Sequence, residues 1–269
     1  MIEDKIIERN SVRIEGIEMS AARRMIKLYK QAQKDLTVRM LMAPDNTYSK
    51  AKLEQALIEV DQMLRLLKAR VRQEAQDTYD LVNEQAAEDA AKELNALEKK
   101  FSGINNLVNV DAIVSAVNPE TFLFNNYESS LDAYDAKLRS LFENQLAQGL
   151  IQQKSWTQMV SDLEMVTNQE DWTLARIVRT ELHSLYGSSK LRGFQEIKSE
   201  YVPDLKKTLY HPMDSRTGED SIQVSKENLV VDLDKPFVYE YGGRKRVFMS
   251  PPDRPNDRSI LIPYRNSWK

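Results

Sequence analysis

The chain has two histidines, His183 and His211, and no cysteine. Disulfides, thiolate zinc sites, Fe–S ligation and a Cys nucleophile are therefore excluded. His211 opens the run His211-Pro212-Met213-Asp214, and Asp220, Asp232 and Asp234 follow. Carboxylates and an imidazole converging on one divalent ion would make a metal-dependent nucleic-acid hydrolase. Short Asp-rich turns more commonly bond their own backbone. Arg179-Thr180-Glu181 falls in the middle of a helical pattern, where positions two apart face different ways. There is no Gly-x-Ser-x-Gly elbow and no Gly-rich phosphate loop. No residue set makes a positive case for an enzyme, and none calls for a cofactor.

Basic residues interleave with aromatics near the end of the chain: Arg244, Lys245, Arg246 and Phe248, then Arg254, Arg258, Tyr264, Arg265 and Trp268. On a loop-rich module they suit phosphate contacts that read no base. Charged turns of a small domain are the plainer alternative. Trp268 is an apolar anchor that docks either in its own core or on a partner. Arg244, Lys245, Arg246 and Trp268 are thus the candidates for DNA or partner contact.

The elements that must position these residues follow from composition and period. Of 269 residues, 8 are Gly, 9 are Pro and 29% are charged, which favours long helices over a turn-rich sheet protein. A net charge of −3 argues against a dedicated nucleic-acid coat. No stretch approaches 18 apolar residues, so no membrane span is expected, and residues 1–6 lack the pattern of a signal peptide. Seven of the nine prolines lie after Tyr201. The reading is α+β: an extended helical region over 1–201 and a small β-containing module over 202–269.

Ile14, Ile17, Ala21, Met25, Leu28, Ala32 and Leu36 form one helical stripe over 12–40. Pro44-Asp45-Asn46 breaks it, and Thr47 or Ser49 caps the next helix. Leu53, Leu57, Val60, Leu64, Leu67 and Val71 are spaced as a heptad seam, on a helix expected over 47–100. Such a seam needs either the first helix folded back on it or a second subunit. Residues 102–126 read as loops and short turns with a break at Asn118-Pro119. Helices are expected over 128–148, ending at Gly149, then briefly after Ser155, then over 169–199. Ile222–Val224, Leu229–Val231, Phe237–Tyr239 and Val247–Met249 read as short strands, with Tyr241-Gly242-Gly243-Arg244 as a hairpin turn.

Four segments of the C-terminal third carry a resemblance. A helix with Arg179-Thr180-Glu181 is followed by Asp214-Ser215-Arg216-Thr217 and then Pro236-Phe237. Pro251-Pro252-Asp253-Arg254-Pro255-Asn256-Asp257-Arg258 closes the series. In order and spacing, residues 170–265 resemble the Mu F-like head-morphogenesis family, minor head proteins of tailed bacteriophages. The family pattern usually has His where this chain has Ser221, Cys where it has Asp257 and Ser259, and Trp where it has Leu209. His and Cys together would be a partial metal set, and their joint absence implies that any such role is not kept. The resemblance implies that Arg179, Thr180, Glu181, Asp214, Arg216, Thr217, Phe237, Pro251, Pro252, Pro255, Asn256 and Arg258 are structural, with an Asp–Arg pair holding a loop. It further implies a virion protein of the head interior near the portal vertex, in several copies, with the portal protein as partner. The major capsid protein or genomic DNA would be further contacts, and the role would lie in head assembly, packaging or genome delivery. An internal, self-assembling scaffold or ejected protein is another reading.

Overall fold

The structure, a computed structural model, describes residues 5–42, 50–117, 121–152 and 154–268. Helices α1 (Lys5–Met42), α2 (Lys50–Ser102), α3 (Val110–Ala116), α4 (Thr121–Ile151) and α5 (Trp156–Glu200) precede a C-terminal set. That set runs β1 (Lys206–Tyr210), α6 (Glu219–Glu227), β2 (Val231–Asp232), β3 (Phe237–Tyr241), β4 (Arg244–Phe248) and β5 (Ile260–Tyr264). The fold is α+β, with long helices first and short antiparallel strands last. The Pro44 break, the Thr47 and Ser49 caps, the Asn118-Pro119 break and the Leu53 side chain lie outside the described residues. Among the described residues no helix is long and apolar enough to cross a membrane.

Two compact units divide the chain. The first combines residues 1–19, 78–123 and 179–269, and the second combines 20–77 and 124–178. In the second unit, parts of α1, α2, α4 and α5 bury one face each. Val60, Leu64, Leu67 and Val71 of the heptad seam are all buried there, with Met25, Tyr29, Leu36, Leu131, Tyr134, Phe142 and Leu163. Charged pairs such as Arg24–Glu74 and Arg39–Glu59 join α1 to α2 at the rim. The rings of Tyr29 and Tyr134 are near perpendicular with centroids 5.1 Å apart, and Tyr29 donates to Asp135 Oδ1 at 2.5 Å. Burial raises the Asp135 carboxyl to about 6, against the bond from Tyr29.

In the first unit α2 presents Ala86, Ala87, Ala90, Ala91, Leu94 and Leu97, none exposed. Small side chains let α5 approach closely, and Leu182, Leu185, Tyr186, Phe194 and Ile197 fill the space. A three-stranded sheet of order β2-β1-β5 pairs Lys206 with Tyr264 and Tyr210 with Ile260. The β3–β4 hairpin pairs Phe237 with Phe248 and Tyr241 with Arg244. Its Gly242-Gly243 turn has φ of 57° and 73°, the left-handed pair that a two-residue hairpin needs.

Several expectations are corrected. Residues 102–126 are not all loop: α3 forms behind an Asn109 side-chain cap, and α4 begins at Thr121. Helix α4 passes Gly149 rather than ending there, because the missing side chain admits Met159; a Cβ would lie 2.5 Å from its Cγ. The two helices expected after Ser155 are one, α5, since no breaker separates them. Ile222–Val224 lies in α6, not in a strand: Ser221, Val224 and Ser225 are buried, a spacing of three and four. Strands β1 and β5 were not expected, because Lys206-Lys207 and Pro263 mask them. Lys207 is nevertheless fully buried, donating to the Leu233 carbonyl at 3.1 Å and the Met249 carbonyl at 2.8 Å.

Candidate functional site

The segment after β1 and the loop before β5 meet in the first unit. Pro212 ends the extended run, and Asp214-Ser215-Arg216-Thr217 then folds as a turn closed by the Thr217 amide on the Asp214 carbonyl at 3.1 Å. The Asp214 carboxylate accepts the Arg216 amide at 2.9 Å, an Asx turn. It also accepts both terminal nitrogens of Arg258, at 2.9 and 2.6 Å, and Arg216 Nη2 at 3.0 Å. The Arg258 bonds hold its carboxyl well below the usual carboxylate range. Arg216 reaches on to Glu15 of α1 at 2.5 and 3.2 Å. Asp214 and Arg258 thus form a bidentate pair.

The loop 250–259 is seated on α5. Pro251–Pro252 is a cis peptide, and a Cβ at Gly187 would lie 2.1 Å from the Pro251 carbonyl oxygen. Asn256 takes a left-handed conformation with φ of 63°, which an Asn tolerates better than a bulkier residue would. Arg254 bonds Asp253 at 2.7 Å, Asp220 at 2.8 Å and Ser221 Oγ at 2.8 Å, and Asp253 also accepts the Tyr239 hydroxyl.

Behind this layer lie both histidines. His183 is buried, with Nδ1 2.6 Å from Glu18 Oε1 and Nε2 2.7 Å from the Ser259 carbonyl oxygen. Burial alone would lower its pKa, but the Glu18 charge and hydrogen bond outweigh it and raise the imidazole to about 9. His211 Nδ1 lies 2.7 Å from Ser259 Oγ, and burial pushes its pKa below the ordinary value. Ser221, Asp257 and Ser259 line one small polar cleft together with His211.

The other candidate residues are dispersed. Arg179 and Thr180 sit half-buried on α5, with Arg179 Nε and Thr180 Oγ1 unpartnered, and Glu181 is half-buried beside them. Phe237 is fully buried and packs on Phe248 at 5.4 Å. Pro251 is buried, Pro252 half-buried and Pro255 exposed. Arg244 and Lys245 are exposed on β4 with no ion pair among the described residues, while Arg246 is half-buried. Trp268 docks in its own unit: it stacks on Phe101 at 5.9 Å and donates to Glu98 at 3.1 Å.

The acids of the hydrolase alternative do not converge. Asp214 faces Arg258, Asp220 faces Arg254, Asp232 faces Lys206 and Asp234 faces Lys235. Among the described residues no three His, Cys, Asp or Glu side chains are grouped to hold a metal ion. Glu15, Glu18 and Gly187 are part of this arrangement and carried no local signal, since each acts through a residue distant in sequence. The chain matches no family model, no curated protein and no solved structure.

Proposed function

We propose that this chain is a structural, non-enzymatic minor head protein of a tailed phage, attached to the portal vertex in the head interior in several copies. Its role would be head assembly, DNA packaging or genome delivery, with the portal protein as main partner. The reading rests on the motif resemblance over residues 170–265. One observation supports it above others: Asp214 of the Asp-x-Arg-Thr turn receives Arg258 of the Pro-Asn segment through two parallel bonds, 44 residues apart in sequence. Segments linked only by the resemblance thus form one joint, fixed again at Glu15 of α1. A rigid joint of this kind suits a docking module. Arg244 and Lys245, exposed on the β3–β4 hairpin, are the groups offered to DNA phosphates.

The other readings have less support. A hydrolase would need Asp214 and Asp220 released from their guanidiniums. Self-assembly through the heptad seam would need Val60, Leu64, Leu67 and Val71 free, and they are buried within this chain.

Co-expression with the portal protein of the same phage, followed by size-exclusion chromatography with light scattering, tests the proposal. Co-elution at a fixed ratio is expected. Separate elution would overturn portal attachment, and Mg²⁺- or Mn²⁺-dependent cleavage of DNA abolished by Asp214→Ala would overturn the non-enzymatic reading. Arg244→Glu with Lys245→Glu should weaken DNA retention while leaving portal co-elution unchanged.

A further inference from the structure

A dry polar cluster lies in the first unit where α1, α2 and α5 meet. Asn10, Glu93 and Lys190 form its centre, at 1%, 0% and 0% exposure. Glu93 Oε1 accepts from Lys190 Nζ at 2.6 Å and from Asn10 Nδ2 at 2.9 Å. One oxygen therefore bridges an amine and a carboxamide nitrogen. The other end of the carboxamide is held as well: Arg13 Nη2 donates to Asn10 Oδ1 at 2.8 Å and also to Asp89. A pure acceptor on one side and a pure donor on the other fix which end of the amide is nitrogen.

These four groups have complementary parts in one reaction. The ring centroids of Tyr186 and Phe194 lie 5.4 and 6.0 Å from Lys190 Nζ. An amine kept from water among aromatic rings is the setting in which lysine becomes a nucleophile. Glu93 Oε2 is buried without a hydrogen-bond partner, and burial pushes the carboxyl up against the pull of Lys190. A carboxylate half satisfied in a dry core is a ready proton acceptor. This one touches both the nitrogen that must lose protons and the nitrogen that must gain them. Arg13 sits on the carbonyl oxygen, where negative charge develops when the carbon is attacked. Lys207, also buried, lacks this setting, since its amine meets the backbone carbonyls of Leu233 and Met249.

We propose that Lys190 and Asn10 join in an intramolecular isopeptide bond, with Glu93 as proton carrier and Arg13 as the donor to the oxyanion. The Lys190–Glu93 ion pair is the state from which the bond forms. Lys190 passes a proton to Glu93, and the free amine attacks Asn10 Cγ. The Nζ–Cγ bond forms, charge gathers on Oδ1 under Arg13, and the Cγ–Nδ2 bond then breaks. Two protons in all travel from the lysine nitrogen through Glu93 to the leaving nitrogen, which departs as ammonium. No oxidant, metal or second substrate is needed, and Glu93 ends as it began. The product ties α1 to α5 covalently. The reaction needs this chain alone, so it stands apart from the portal reading.

The test weighs the full chain, purified folded and kept near neutral pH, by intact mass spectrometry, followed by tryptic digestion. A deficit of one ammonia from the sequence mass is expected. Cleavage after Lys190 is then blocked, and residues 10–13 are recovered joined to residues 180–192 in one species. A chain held in urea from lysis onward should keep the full mass. Glu93→Gln should also keep it, because the amide cannot carry the proton; a cross-link that persists in that variant would overturn the part given to Glu93. The full sequence mass in the folded, unaltered chain would overturn the proposal. A deficit of one water would overturn it too, since that marks a bond from Lys190 to a carboxylate instead. The unaltered chain decides the matter even if the variant does not fold.

Discussion

His183 places Nδ1 2.6 Å from Glu18 Oε1 and Nε2 2.7 Å from the Ser259 carbonyl oxygen, so both ring nitrogens face pure acceptors. Only the imidazolium can donate to both. Burial opposes that charge, yet Glu18 raises the pKa from 6.5 to about 9. A pKa raised on folding stabilises fully below the unfolded value and is lost as pH rises through the folded one. Stability should therefore fall from pH 6.5 upward. Lys207, lowered by burial from 10.5 to about 8, acts in the opposite sense above 8. The clean window is pH 6.5–8, where the loss should be about 2 kcal/mol. Urea midpoints across that range measure it, and His183→Gln should flatten the profile. Glu18→Gln should cost about 3–5 kcal/mol by leaving a buried charge without its partner.

Two glycines in helices should respond oppositely to alanine. Nothing lies within 4 Å of a Cβ at Gly16, so Gly16→Ala should stabilise by about 0.8–1 kcal/mol through helix propensity. At Gly187 the same change drives a Cβ onto the Pro251 carbonyl, and a loss of about 1–3 kcal/mol is expected. Thermal melting of both variants, read side by side, checks the seating of the 250–259 loop on α5.

Trp268 should matter well beyond its place near the end of the sequence. Trp268→Ala removes the stack on Phe101 and a donor to Glu98, which is fully buried and also bound by Arg265 at 2.5 Å. A loss of about 3–5 kcal/mol is expected in urea unfolding. Trp268→Phe should lose less, since it keeps the ring and drops only the indole donor.

Lys190 and Glu93 form a fully buried ion pair at 2.6 Å, with Asn10 also donating to Glu93 at 2.9 Å. Lys190→Met should cost about 3–5 kcal/mol, because it strands a carboxylate in the core. Adding Glu93→Met should recover much of that loss, and a double-mutant cycle from urea midpoints measures the coupling.

The long helices were legible because their information is periodic and local. The stripe from Ile14 to Leu36 and the seam from Val60 to Val71 repeat at threes and fours, and those positions are largely buried. The Gly242-Gly243 hairpin was legible because two left-handed residues in succession suit few other structures. Strand β1 was not, since Lys207 is held by backbone carbonyls of Leu233 and Met249 that are distant in sequence. Helix α6 was misread because its buried face uses Ser221 and Ser225, which a hydrophobic pattern cannot register. In the candidate site an Asp–Arg pair was expected from the motif resemblance, but not that Arg258, 44 residues on, would be the partner of Asp214. The cleft was not, because His211, Ser221 and Ser259 come together only through tertiary packing.

Glu15 is paired with a residue 201 positions later. A ribosome adding roughly 5–20 residues per second leaves that carboxylate waiting about 10–40 seconds for Arg216. Glu18 waits longer for Ser259 to complete the acceptors around His183. The part of the nascent α1 that carries Glu15 and Glu18 therefore spends most of synthesis without its final partners, and slowing translation of the last quarter of the gene should prolong its exposure to chaperones and proteases.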